Sequence, residues 1–123
     1  MIDVLILQGT APSYEFEFED ENEKLVIATN KIKEMTVVFY QKKSDHEIKK
    51  EYVSEGSENS IKFEGNIAIV SLTPDETFKF IPGFEVEIQM RLVLNEGQIL
   101  MSDKYRGRVE ATLFKKEEKP NEN

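Results

Sequence analysis

The chain contains no cysteine and no tryptophan, and it has a single histidine among its 123 residues. Without cysteine there are no disulfides, no thiol nucleophile and no thiolate-bound zinc, so packing and strand pairing must hold the fold. Basic side chains are also few, because 16 Lys and Arg stand against 24 Asp and Glu and give a formal charge of −8. Nucleic-acid affinity depends on neutralising phosphates with Lys and Arg, so a nucleic-acid partner is disfavoured.

Long hydrophobic runs are missing as well. The apolar stretch at residues 2–7 is too short for the hydrophobic region of a signal peptide and contains Asp3, and no later stretch approaches the length of a membrane span. We therefore expect an intracellular, soluble protein with no membrane partner. One domain is the default at this length, and we expect it to cover residues 1–115, followed by a flexible charged tail at residues 116–123.

Alternating apolar and polar residues dominate the rest of the sequence. From Phe84 to Leu94 every even-numbered side chain is apolar, and the odd-numbered ones are polar up to Val93, which is typical of a strand with one buried face. Residues 14–19 repeat the pattern with aromatic rings and carboxylates. Further strands are predicted at residues 2–7, 25–28, 35–41, 48–53, 60–63, 67–72, 98–102 and 108–115, and residues 29–34 are open between a helical turn and a loop.

Turn residues separate these strands and indicate that most of them are antiparallel. Gly65-Asn66 suits a two-residue hairpin, and Asn95-Glu96-Gly97 suits a three-residue hairpin in which glycine supplies a positive φ. Helical periodicity is not sustained anywhere. We therefore predict an all-β fold, an antiparallel β-sandwich of about seven to nine strands, with one short helical turn near residues 73–77.

The segment Thr73-Pro74-Asp75-Glu76 predicts that helical turn residue by residue. Thr73 suits the N-cap, Pro74 suits the first helical position, and Glu76 stands three residues after the cap, where it completes a capping box. Pro82-Gly83 then has the φ preferences of a type II turn. We expect a corner that crosses from one sheet to the other. The alternative, a catalytic or metal-binding carboxylate pair, is disfavoured because adjacent carboxylates rarely converge on one point from such a turn.

No residue set in the sequence predicts catalysis or a bound metal. His46 lies in a charged segment without a second histidine or a Gly-x-Ser-x-Gly motif, so we interpret it as a solvated side chain. The acidic run at residues 19–23 lacks EF-hand spacing and is interpreted as a solvated turn. We predict a protein that is not an enzyme and has no cofactor; a glycosidase is the enzyme alternative, but nothing identifies two carboxylates at catalytic separation.

Apolar residues on strand faces that are expected to be exposed to solvent indicate a binding surface. In the first predicted strand, Leu5 and Leu7 lie on the opposite face from Ile6. In the strand at residues 35–41, Val38 and Tyr40 lie on the opposite face from Val37 and Phe39. Two strands therefore carry apolar side chains on both faces. This excess predicts a partner protein or self-association, with a homo-oligomer expected. The basic patch at residues 104–108 either meets an acidic partner or balances acids of neighbouring strands. The candidate interaction surface comprises Leu5, Leu7, Val38, Tyr40, Tyr105, Arg106 and Arg108.

One pattern runs through most of the chain, from Ile32 to Leu113. A strand ends in Leu-Thr, an acidic pair and Thr, and is followed by Lys-Phe, a glycine, an Ile-Gln-x-Arg strand, a glycine hairpin and a serine. The positions that carry it are Ile32, residues 36–41 and 66–80, Gly83, residues 86–91, Glu96-Gly97, Ser102 and Val109. The pattern resembles a group of small structural proteins of bacteriophages and prophages. It consists of β-corner residues rather than chemical groups.

The resemblance implies an immunoglobulin-like sandwich that serves as a virion or assembly component, with no catalytic residues to carry over. Its partners would be other phage structural proteins or copies of itself, in the bacterial cytoplasm during assembly or in the virion. Residues 42–59 and the charged tail depart from the pattern, which leaves head, neck, tail and baseplate open. The rival hypothesis is a carbohydrate- or small-ligand-binding sandwich, with Tyr14, Tyr40, Tyr52 or Tyr105 as a stacking surface.

Overall fold

The computed structural model describes residues 3–17, 31–56, 59–65 and 67–114, which form nine strands and one short helix. Burial alternates residue by residue along the long strands, as the period-two pattern predicts. In chain order the elements are β1 Val4–Leu7, β2 Ser13–Glu17, β3 Ile32–Gln41, β4 His46–Val53, β5 Ile61–Glu64, β6 Ile67–Ser71, α1 Pro74–Phe78, β7 Glu85–Leu94, β8 Ile99–Met101 and β9 Tyr105–Glu110.

These strands form two sheets that face each other, so the predicted all-β sandwich is confirmed. One sheet has the order β1-β9-β7-β3-β4, with β8 pairing on β7 beside β9, and the other has the order β2-β6-β5. The first sheet is mixed rather than antiparallel, because β1 runs parallel to β9. Turn residues could not predict that pair, since parallel neighbours are never joined by a hairpin.

One apolar cluster fills the space between the sheets. Val86, Ile88, Met90, Leu92 and Leu94 of β7 are all buried, which confirms the inward face predicted at these positions. Phe84, the first residue of the predicted strand, precedes β7 and is 44% exposed. They pack with the inward side chains of β3 and with β6 of the opposite sheet. The tilted contact between the Tyr14 and Phe39 rings, with centroids 6.2 Å apart, joins the two sheets directly.

The predicted corner is present in detail. Glu76 N donates to Thr73 Oγ1 at 3.2 Å and Thr73 N donates to Glu76 Oε1 at 2.8 Å, which is the reciprocal pattern of a capping box with Pro74 in the first turn. Gly83 has φ +88°, a value that glycine adopts without strain. Because β6 belongs to the small sheet and β7 to the large one, the segment between them does carry the chain from one sheet to the other.

Two buried polar side chains that were not predicted from the sequence hold this corner in place. Gln41 is fully buried; its Nε2 donates to the Ile81 carbonyl at 2.9 Å and the Phe84 carbonyl at 3.1 Å, and its Oε1 accepts from Ile81 N at 2.7 Å. Thr77 is also fully buried, and its Oγ1 accepts from Gly9 N at 2.9 Å and donates to the Thr10 carbonyl at 3.1 Å. The corner is therefore held to both β3 and the segment after β1.

Several predicted boundaries differ from the structure. β3 begins at Ile32, so the later half of residues 29–34 is strand rather than turn or loop. The last strand spans Tyr105–Glu110 instead of residues 108–115, because it is held between β7 and β1 and ends where those neighbours end. The predicted strand at residues 25–28, the acidic run at 19–23 and the tail at 116–123 lie outside the described residues.

Candidate interaction surface

The large sheet presents an apolar surface to solvent. We define its outer face as the side chains of β1, β3, β4, β7, β8 and β9 that point away from the core. Among the described residues nine large apolar side chains are exposed, and five of them belong to this face: Leu5 at 48%, Leu7 at 38%, Val53 at 44%, Ile99 at 59% and Met101 at 65%. None of the nine belongs to the described part of the small sheet. The exposed large apolar side chains are therefore concentrated on the large sheet, whereas the outward Ile67 and Ile69 of the small sheet are half-buried.

Six of the seven predicted surface residues lie on the outer face. Leu5 and Leu7 point outward from β1, Val38 and Tyr40 are half-buried on β3, and the two arginines point outward from β9. The expectation for Tyr105 is wrong. Its ring points inward and packs against the Phe16 ring of the other sheet, with centroids 6.2 Å apart. Tyr105 directly precedes Arg106, and successive side chains of a strand point to opposite faces of the sheet, so the two cannot share the outer face.

The basic patch is largely neutralised by acids of its own sheet. Arg106 Nη1 lies 3.8 Å from Glu85 Oε2, and Arg108 Nη2 lies 2.8 Å from Glu110 Oε2. Both arginines thus have the acidic neighbours in their own sheet that one of the two explanations requires, and an acidic partner for the patch stays a prediction. All four side chains are about half exposed, so these ion pairs contribute little stability. Lys104 has no such carboxylate among the described residues.

A groove of about 470 Å³ crosses the outer face from β4 over β3 and β7 to β8. Its middle is formed by half-buried side chains of the two central strands, namely Thr36, Val38 and Gln89. Three cations lie around it, none of them in an ion pair with any described residue, and one carboxylate, that of Glu87. The lining residues are Thr36, Val38, Tyr40, Lys49, Glu87, Gln89, Met90, Arg91, Met101 and Lys104.

Ser102 holds one wall of the groove in place. It lies in the gap between β8 and β9, where the ladder with β7 is interrupted. Its backbone N donates to the Met90 carbonyl at 3.0 Å, and its Oγ accepts from Met90 N at 3.0 Å, so one residue replaces a missing strand pair. Gln89 Nε2 also donates to the Ser102 carbonyl at 2.9 Å. These bonds fix the start of the segment that carries Lys104.

The four tyrosines do not form a common stacking surface. Only Tyr40 lies on the outer face, where its hydroxyl donates to Asp45 Oδ1 at 2.9 Å, and this hydrogen bond raises the pKa of Tyr40. Tyr14 donates to the Leu5 carbonyl at 2.9 Å, and burial raises the pKa of Tyr14 to about 12. Tyr52 packs edge-on against Phe63 with centroids 4.7 Å apart, and Tyr105 packs inward as described above.

His46 is not the solvated side chain that its charged neighbours suggested. It begins β4, and its ring packs edge-on against the Phe80 ring, with centroids 5.5 Å apart. Its Nε2 is buried and has no hydrogen-bond partner among the described residues. Within the same part of the chain no group of three or more His, Asp or Glu side chains is placed to hold a metal ion. No helix there has the length and apolar character needed to cross a membrane.

The carboxylates of the corner have structural roles, as predicted. Besides closing the capping box, Glu76 accepts two hydrogen bonds from Lys50 Nζ, at 3.0 and 2.9 Å to its two oxygens. Burial opposes ionisation of Glu76, but the hydrogen bonds from Thr73 and Lys50 outweigh it and lower the pKa of this carboxyl. Asp75 is exposed in the first helical turn, where it complements the helix dipole.

Neither a scan against protein-family models nor a search of curated proteins found a match to this chain.

Proposed function

We propose that this protein is a non-enzymatic β-sandwich that works through protein–protein contacts, and that the outer face of the large sheet makes those contacts. The observation that carries the proposal is the concentration of exposed apolar side chains there, five of nine in the described residues. Large exposed apolar patches usually mark interaction sites, because burying apolar surface contributes about 25 cal/mol for each Å². The small sheet provides an internal comparison, since its outward residues include Glu15, Lys62 and Glu64.

The setting that we propose is the assembly of a bacteriophage or prophage particle. The support for it is the resemblance of residues 32–113 to small structural proteins of phages. Its partners would be other structural proteins of the particle or further copies of this chain, and it would act in the bacterial cytoplasm during assembly or in the virion. Isologous contacts and closed rings of copies are the usual ways to build symmetric assemblies.

Particles induced from the bacterium that carries the gene test this proposal. Mass spectrometry of purified particles and of assembly intermediates should detect the chain. A double variant Leu5→Lys/Leu7→Lys should be incorporated at least tenfold less than wild type, because two charges would be buried in the contact. The control Leu113→Lys/Phe114→Lys makes the same change in charge at two exposed positions after β9, and it should be incorporated normally.

Thermal unfolding of each purified variant separates a lost contact from a lost fold. If Leu5→Lys/Leu7→Lys melts well below wild type, Ile99→Lys replaces it, since Ile99 is more exposed than either leucine. Absence of the chain from particles and from intermediates would refute the phage setting. Normal incorporation of both outer-face variants would refute the proposed surface.

A further inference from the structure

We propose that the groove on the outer face binds an extended acidic segment of a partner protein, one that carries two carboxylates four positions apart with an apolar side chain midway between them. The inference rests on the proposed function, because it assigns a partner chemistry to one part of the same outer face. Two features of the groove support this inference: the position of its cations and the aliphatic side chain of Val38 that lies between them.

The charge of the groove is opposite to that of the chain as a whole. The protein has a formal charge of −8, so carboxylates are in surplus. Even so, Lys49, Arg91 and Lys104 lie around the groove without an ion pair to any described residue, and Glu87 is the one acidic side chain in the lining. Cations left unpaired beside a concave apolar surface raise the local concentration of an anionic partner and orient it.

Strand register places two of these cations at opposite ends of one row. Lys49 of β4 pairs with Val38 of β3, which pairs with Gln89 of β7. Lys104 immediately precedes Tyr105, the partner of Ile88, so it stands close to the level of Gln89. Adjacent strands lie about 4.8 Å apart, and three such steps put about 14 Å between the two ends of the row.

That spacing favours a peptide over a small anion. A single carboxylate or phosphate cannot contact both ends of a row about 14 Å long, whereas an extended chain rises about 3.3 Å per residue and covers it in about four residues. Side chains at positions i, i+2 and i+4 of an extended segment point the same way. Acidic groups at i and i+4 would then meet Lys49 and Lys104, and an apolar group at i+2 would lie between Val38 and Gln89. Arg91, one row away beside Met101, adds positive charge to the same site.

The test is binding of fluorescein-labelled peptides to the purified full chain at low salt, followed by fluorescence anisotropy. The parent peptide contains Glu-Ser-Leu-Ser-Glu between Gly-Ser flanks. Three comparison peptides contain Gln-Ser-Leu-Ser-Gln, Glu-Ser-Ser-Ser-Glu and the permuted Glu-Glu-Ser-Leu-Ser. We expect the parent to bind at least tenfold more tightly than each of them, and its affinity to fall as salt is added.

Two matched double variants assign the binding to the groove. Lys49→Gln/Lys104→Gln should lower the affinity for the parent peptide at least tenfold, whereas Lys62→Gln/Lys79→Gln removes the same charge elsewhere on the surface and should leave it unchanged. Amide chemical-shift changes on adding the parent peptide should centre on Thr36, Val38 and Gln89. Both variants replace exposed side chains, so both should remain folded.

Each contrary outcome overturns the inference. No binding at millimolar peptide, equal binding of the permuted peptide, or equal losses in the two variants would exclude a specific acidic segment. Equal affinity for glutarate, a short dicarboxylate, would show that the groove takes a small anion. Self-association that only Lys49→Gln/Lys104→Gln abolishes, without peptide binding, would show that the occupant is a second copy. In all these cases the proposed function stands if Leu5→Lys/Leu7→Lys still fails to enter particles, so the two failures are distinguishable.

Discussion

Replacement of Gln41 by methionine should destabilise the protein by about 2–4 kcal/mol, because this side chain holds the corner to the end of β3. Gln41 is fully buried, and its amide makes three hydrogen bonds of 2.7 to 3.1 Å to the backbone of Ile81 and Phe84. Methionine preserves the length and volume of the side chain. The loss therefore comes from the hydrogen bonds and not from a cavity.

The magnitude follows from the groups that the variant would leave without a partner. A buried polar group without a hydrogen bond costs about 1–3 kcal/mol, and three such groups are affected. The side chains of Ile81 and Phe84 are 38% and 44% exposed, so water can reach part of this turn and reduce the full sum. A loss of this size is a large fraction of the roughly 5–15 kcal/mol that stabilises a domain.

Urea unfolding followed by far-ultraviolet circular dichroism measures the effect. The control is Gln98→Met, which makes the same chemical change at an exposed position and should alter the free energy of unfolding by less than about 0.5 kcal/mol. The slope of the free energy against urea should be the same in both variants, because the surface exposed on unfolding is unchanged. A Gln41→Met protein within about 0.5 kcal/mol of wild type would refute the assigned role of this side chain.

Three further predictions concern the corner, a buried hydroxyl and the edge of the large sheet. The folded-state pKa of Glu76 is lowered from its ordinary value of 4.5, so its stabilising effect is complete above pH 4.5 and is lost progressively as pH falls below it. Urea unfolding should show that Glu76→Gln loses about 1–2 kcal/mol at pH 7 and that this loss shrinks as pH falls below 4.5, whereas a loss independent of pH would contradict the prediction. Burial raises the pKa of Tyr14 from 10.0 to about 12, so the stabilising effect of its neutral hydroxyl is complete below pH 10 and is lost as pH rises through 12. Ultraviolet titration should show one tyrosine that ionises near pH 12, and Tyr14→Phe should remove it. An unchanged titration of the variant would contradict the assignment. A Cβ on Gly107 would lie 3.1 Å from both Ile6 Cδ1 and Val4 Cγ2. Gly107→Val should therefore destabilise the fold by about 1–3 kcal/mol and speed amide hydrogen exchange in β1. Amide exchange in β1 as slow as in wild type would contradict this packing.

The sequence predicted best those features that depend on neighbouring residues. The capping box at Thr73 and Glu76, the hairpin at Gly97 and the inward face of β7 each follow from a few consecutive positions, and each is present. Such features depend on local backbone preferences and on the alternation of side chains along a strand. The sequence is sufficient for them because no distant residue decides the outcome.

Most features that were not predicted from the sequence depend on residues far apart in the chain. Tyr105 is the exception, because it shares the inward face with Gly107 and Val109 by simple alternation, and it was misplaced because the last strand was predicted at residues 108–115. His46 packs against Phe80, which follows α1 in the corner and is distant from His46 in the chain. Gln41 finds its partners 40 and 43 positions away, and the groove draws its lining from four strands. Composition and alternation carry no information on such pairings.

Site-specific photo-cross-linking in the host cell tests the central claim most directly. A photoreactive amino acid is placed at Leu7 or Ile99 on the outer face, and at Lys62 on the small sheet as the control, since all three side chains are exposed. The two outer-face positions should give discrete products that contain either a structural protein of the particle or a second copy of this chain, and Lys62 should give none. Equal yields at all three positions, or products from Lys62 alone, would contradict a contact surface on the large sheet.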